Sequence, residues 1–160
     1  MSRSHYIAPT IPVPAGTTVR FGAGTGSSNN WAPDLENGKF VKLIAESRYG
    51  LAVAGDAIQG VVDAVEVATQ NGYTIGTVAD SAKFLNVTFD GLQATAGTGT
   101  VALGDYVVVG TVVAKGTALT SYPKVCKATS QAVSFFNWRV VSLGSAGSGA
   151  VGTVGVIQRV

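Results

Sequence analysis

The feature that most narrows the folds open to this chain is its punctuation. From Lys39 onward, short runs dominated by Val, Thr, Phe, Tyr and Ile are separated by turn residues roughly every eight to twelve positions. That spacing predicts an all-β domain. The turn signals are Asn37-Gly38, Gly55-Asp56, Asn71-Gly72, Asp90-Gly91, Gly104-Asp105 and the tract "GSAGSG" at 144–149. Asn-Gly and Asp-Gly supply the positive φ angles of tight hairpins, so 71–72 and 90–91 are read as hairpin turns.

The runs between the turns carry strand periodicity. In "FLNVTF", Leu85, Val87 and Phe89 share one face while Asn86 and Thr88 take the other, as in a half-buried strand. "FVKLIAESRY" is read as one strand, with Val41, Leu43 and Ala45 alternating with Lys42, Ile44 and Glu46. "AVSFFNWRVVSL" sets Val133, Phe135, Val141 and Leu143 against Phe136, Trp138 and Val140, which predicts a strand covered on both faces. Residues 34–160 are therefore expected to form a small β-barrel or jelly-roll-like β-sandwich of short antiparallel strands.

Residues 1–33 have a different character. Four of the five prolines (Pro9, Pro12, Pro14, Pro33) fall there, together with "GAGTGSSNN" at 22–30. Proline fixes its own φ and pushes the preceding residue toward extended geometry, so "YIAPTIPVPAG" is predicted to run as an extended arm. Its apolar residues Tyr6, Ile7, Ile11 and Val13 need something to lie against, and another chain would serve. Tyr6, Ile7, Pro9, Ile11, Pro12 and Val13 are the candidate partner-binding residues, with Trp31 as a further anchor.

Composition excludes several function classes. Charged residues make up 12% of the 160 residues, and 11 basic against 9 acidic side chains leave a net charge of +2 with no run of like charges. A nucleic-acid backbone or an anionic membrane has nothing to track. The hydrophobic runs fall short of the roughly 20 apolar residues that a spanning helix needs. The start "MSRSHYIAPTIPVPAG" has no apolar stretch of the secretory kind, so synthesis in the cytoplasm is expected.

Reactive groups are sparse. Cys126 is the only cysteine and His5 the only histidine, so no intrachain disulfide and no Cys/His zinc set is available. His5 lies in the arm, and Cys126 in "PKVCKATS" is read as an inward-facing small hydrophobe. Asp56, Asp63, Glu66, Asp80, Asp90 and Asp105 sit near predicted turns with no spacing of paired catalytic carboxylates or of a calcium loop. No cofactor, no metal and no enzymatic activity are expected. Trp31, Tyr73, Tyr122 and Trp138 would stack on sugar rings if a loop grouped them, which keeps a glycan-binding adhesion module as the alternative reading.

One pattern recurs: "LAVAGDAIQGVVDAVE" at 51–66 and "TVALGDYVVVGTVVAKGT" at 100–117. Each places Gly-Asp before an apolar run that ends at another glycine, Gly60 or Gly110. Gly55, Asp56, Gly104 and Asp105 are read as structural turns in which the carboxylate accepts from backbone N–H groups two residues on. The succession "GKFVKLIAESRYGLAVAGDAIQGVVDAVE", "GYTIGTVAD" and "VALGDYVVVGTVVAKGT", with the tail "GAVGTVGVIQRV", resembles the head decoration, or cement, proteins of tailed bacteriophages. The resemblance implies a non-enzymatic β-rich virion protein. It would sit as a dimer or trimer on the outer capsid surface and brace major capsid protein subunits. The long Pro-rich arm and the segment after Ser121 depart from the shorter members of that group.

Overall fold

The computed structural model describes residues 13–14, 35–45, 48–66, 73–129 and 138–160, which carry eleven strands and no helix. The all-β expectation holds for them. They gather into two compact units, and the segment 34–160, expected as one domain, contributes to both.

The first unit takes its described residues from Met1–Leu51, Gln59–Ser81 and Val113–Leu119. Its strands are β1 (Val13–Pro14), β2 (Phe40–Ala45), β3 (Arg48–Leu51), β4 (Gly60–Glu66) and β5 (Tyr73–Ala79). They form one sheet in the order β1-β5-β4-β2-β3, every neighbour antiparallel. The run "FVKLIAESRY", expected as one strand, breaks after Ala45 and folds back as the β2–β3 hairpin. The return sets Val41 opposite Leu51, so that Tyr49 and Leu51 pack against a buried cluster of Val41, Val62, Val65 and Val78. Leu43 and Ile44, which a single strand would have placed on opposite faces, are both exposed. Asn71-Gly72 lies outside the described residues, although β4 and β5 on either side of it do pair antiparallel.

The second unit takes its described residues from Ala52–Ile58, Ala82–Val112 and Thr120–Val160. It holds β6 (Phe84–Leu92), β7 (Thr95–Ala96), β8 (Tyr106–Val109), β9 (Lys124–Lys127), β10 (Trp138–Ser142) and β11 (Val154–Arg159). The sheet order β11-β10-β8-β9-β6 closes on itself through a β6–β11 pairing, so five strands make a small barrel and β7 hangs on β6 as a short hairpin arm. Closure removes the free edges that an open sheet must otherwise protect. Barrel, rather than sandwich, is the architecture of this unit. One pairing, β6 with β9, is parallel. A parallel pair needs a long crossover, which the chain between Leu92 and Lys124 supplies.

Register explains the barrel core. Phe89 lies beside Val125, Val125 beside Val109, Val107 beside Trp138 and Val140 beside Ile157, and all of these are buried. Side chains of this size contribute about 1.5–3 kcal/mol each on full burial. Trp138 keeps its ring nitrogen satisfied inside the core by donating to the Ile58 carbonyl at 3.0 Å.

Three strand expectations change here. Alternation in β6 holds only as far as Asn86, and residues 87–91 are all buried. Thr88 is covered because its N–H donates to the Pro123 carbonyl and its hydroxyl to that of Tyr122. Asp90-Gly91 is not a hairpin turn; it lies within β6, and the chain reverses at Gln93-Ala94, pairing Leu92 with Thr95. In β10, Trp138 and Val140 point inward while Arg139 and Val141 are exposed, so only one face of that strand is covered. Val133, Phe135 and Phe136 lie outside the described residues.

Candidate interaction surfaces and the Gly-Asp turns

The two Gly-Asp sites are the same object in space. In each, four residues form a turn closed by the last N–H donating to the first carbonyl: Asp56 to Val53 at 3.0 Å, Asp105 to Ala102 at 3.2 Å. The glycine takes a left-handed φ of 88° at Gly55 and 84° at Gly104. Both glycine N–H groups point at one residue of a neighbouring strand, which returns the bond to the aspartate carbonyl. Gly55 and Asp56 grip Val109 (2.8 and 3.0 Å), and Gly104 and Asp105 grip Val140 (2.8 and 2.9 Å). Two residues facing one, the first a left-handed glycine, is a β-bulge that fixes where the chain meets the sheet.

The same geometry occurs twice more without aspartate. Glu36–Lys39 grips Val62 through Gly38, and Ala150–Thr153 grips Phe89 through Gly152. The repeat is weak as text because only the glycine is demanded by the backbone. The fourth side chain varies in what it adds. The aspartates do not reach two residues on, as expected, but three back: Val53 N–H donates to Asp56 Oδ2 at 2.7 Å and Ala102 N–H to Asp105 Oδ2 at 2.8 Å. Thr153 donates to the Ala150 carbonyl, and Lys39 donates to Glu36. The expected pairing of each turn with a following strand holds for one copy. Asp105 leads into β8, which ends at Val109 just before Gly110, whereas Asp56 leads into irregular chain and Gly60 begins β4.

Asp56→Ala is expected to lower the unfolding free energy by about 1 kcal/mol, the worth of one such hydrogen bond, and Asp105→Ala by somewhat more, since Asp105 Oδ1 also stands 3.0 Å from Lys127 Nζ. Asn at either position keeps an acceptor and most of the stability. Urea titration of the four single variants checks this, and a loss with Asn equal to that with Ala would show that the carboxylate charge, not the bond, is what matters.

No protein-family model, curated protein or solved structure matches the chain. What it can do chemically is therefore read from its own side chains. Among the described residues no three of His, Cys, Asp and Glu come together as a metal set would require. Cys126 is buried in β9, where burial, reinforced by the charge of Asp90 and opposed by Lys124, pushes its thiol up to about 11. It is protonated at neutral pH and is the small core hydrophobe that its strand position implied. Asp90, expected in a turn, is instead buried within β6. Its Oδ2 accepts from Thr111 N–H at 2.7 Å, and its Oδ1 stands 3.8 Å from Lys124 Nζ.

The least expected polar group is Glu36, fully buried in the first unit. Its Oε2 accepts from Lys39 Nζ at 2.6 Å and its Oε1 from Gly116 N–H at 2.6 Å, while Lys39 Nζ also donates to the Ala114 carbonyl at 2.9 Å. The pair thus ties the segment 113–119 to the turn that leads into β2. Burial lowers the pKa of the neighbouring Lys115, and the Glu36 charge partly restores it. A lysine three residues after Glu36 was the available sequence signal; the partner at Gly116 had none.

Of the candidate partner-binding residues, Tyr6, Ile7, Pro9, Ile11, Pro12 and Trp31 lie outside the described residues. Val13 is described: its backbone pairs with Thr74, and Pro14 with Tyr73, as an added edge strand on β5. Proline suits that place, since an edge strand tolerates the missing donor. Among the aromatic residues weighed for sugar stacking, Trp138 belongs to the barrel core and Tyr122 is half exposed.

Proposed function

We propose that the chain is a non-enzymatic virion structural protein that attaches to the outside of an assembled phage capsid and braces major capsid protein subunits, acting as a homo-oligomer. The observation that carries this reading is how the polar side chains are used. Asp56, Asp105, Asp90 and Glu36 all bind backbone N–H groups, and the only thiol is buried. Groups held that way serve shape. The arm supports the same reading, because Val13–Pro14 shows its backbone joining a sheet edge, the mode by which an extended segment gains affinity from main-chain bonds. On a shell with many equivalent sites, a modest single contact is multiplied by avidity.

Co-sedimentation with mature heads of the source phage, stripped of accessory proteins, tests the proposal. Saturable binding by the full chain, lost on deletion of residues 1–14, is the expected result. Absence of binding by the full chain overturns the capsid reading. Equal binding by both forms removes the arm from it.

A further inference from the structure

Resting on the reading of the chain as an assembly component, we infer that the barrel wall formed by β6, β11 and β10 is a docking face for an apolar protein surface rimmed by carboxylates. Register lines up its residues. Phe84 pairs with Gln158, Gln158 with Arg139 and Arg139 with Tyr106, so four side chains form one outward row across four strands. Neighbouring strands are about 4.8 Å apart, which makes the row roughly 15 Å long. The next row holds Asn86, Val156 and Ser142, with Val141 at a register shift in β10, and Val154 follows on the same face of β11. Phe84 (56% exposed), Val154 (41%) and Val141 (36%) face solvent there. Other large apolar side chains, such as Val53, Leu103 and Val160, are also exposed, and what distinguishes these three is that they stand together on one face of adjoining strands.

Charge selects the partner. The second unit contains five of the 11 basic residues but only three of the 9 acidic ones, so it carries the whole net charge of +2. All three acids are held: Asp56 and Asp105 cap their own turns and Asp90 is buried. Neither β10 nor β11 contains an acidic residue. On the wall itself, Arg139 is exposed in the first row and Lys83 Nζ stands 6.0 Å from the Phe84 ring centroid. An apolar centre beside arginine and lysine, with no carboxylate of its own, is complementary to an apolar patch bordered by Asp or Glu. Single-stranded nucleic acid is the poorer fit, since the two aromatics of the wall, Phe84 and Tyr106, stand at opposite ends of the row with Gln158 and Arg139 between them, too far apart to stack successive bases.

Head binding is measured from 50 to 300 mM NaCl for the wild type, Arg139→Glu, Phe84→Ser and Lys42→Glu, beside retention on polyglutamate resin and on single-stranded-DNA cellulose. Both wall side chains are exposed, so thermal unfolding is expected to stay at the wild-type value. Arg139→Glu and Phe84→Ser are each expected to weaken head binding about tenfold at 50 mM NaCl, Arg139→Glu with a shallower salt dependence. Lys42→Glu, the same charge change in the other unit, leaves binding unchanged. Head binding unaffected by the wall variants overturns this inference and leaves the capsid reading intact. An equal loss with Lys42→Glu also overturns it, as an effect of net charge. Wild type that ignores heads but needs Arg139 for polyglutamate retention supports the wall and overturns the capsid reading. Retention on DNA cellulose but not on polyglutamate overturns the choice of a protein partner.

Discussion

Glu36→Ala is expected to remove about 3–5 kcal/mol of stability, the cost of breaking a buried ion pair on one side. The reason is what the substitution leaves behind. Lys39 is 6% exposed and loses its counter-ion, while Gly116 N–H loses the acceptor that holds segment 113–119 in place. Against a domain stability of roughly 5–15 kcal/mol, that loss removes a third or more of the total over most of the range and, at the low end, leaves a visible population of unfolded chain. Replacing both partners with apolar residues, Glu36→Leu with Lys39→Met, is expected to recover most of it, because no charge is then buried. The two backbone groups released, on Ala114 and Gly116, belong to exposed residues and can take water. Urea unfolding of the single and double variants checks the ordering. A double variant as unstable as Glu36→Ala would mean that the tie to 113–119, rather than the uncompensated charge, carries the energy.

The strands that could be read from sequence are those whose signals are local. β8 follows Gly104-Asp105 and ends just before Gly110, and Trp138 and Val140 alternate with Arg139 over the length of one strand. Local rules failed where a distant partner decided the outcome. Asp90-Gly91 carries the strongest short-range hairpin signal, and Gly91 does adopt a left-handed φ of 83°, yet Thr111 and Lys124 hold Asp90 inside β6 and delay the reversal to Gln93-Ala94. "FVKLIAESRY" alternates well enough to pass for one strand; only the burial gained by opposing Val41 and Leu51 favours the hairpin. Closure of the barrel through β6 and β11, and with it the row from Phe84 to Arg139, joins residues too far apart in sequence for any periodicity to connect. Asn37-Gly38 carries a legible turn signal, whereas the equivalent turn at Gly152 has no Asn or Asp beside its glycine to mark it, because the backbone requires only the glycine.

Gly91→Ala is expected to cost roughly 2–5 kcal/mol, adding the strain of a left-handed φ to an unrelieved clash. A methyl group there would clash with the Thr98 carbonyl oxygen, and that atom is main chain, which cannot swing away as a side chain would. The Thr98 carbonyl also accepts Leu92 N–H, so moving it undoes the hairpin that closes β6 onto β7. Retreat on the other side shifts Asp90, whose carboxylate holds Thr111 and whose carbonyl accepts Gly97 N–H. Gly97 provides the control. Its φ of 88° matches that of Gly91, but a methyl there meets nothing within 4 Å. Gly97→Ala should therefore show the conformational term alone, about 1–2 kcal/mol. Thermal and urea unfolding of the two variants separates strain from contact. If they melt together, the close approach of Gly91 to Thr98 carries no energy, and Gly91 serves only to turn the backbone of β6.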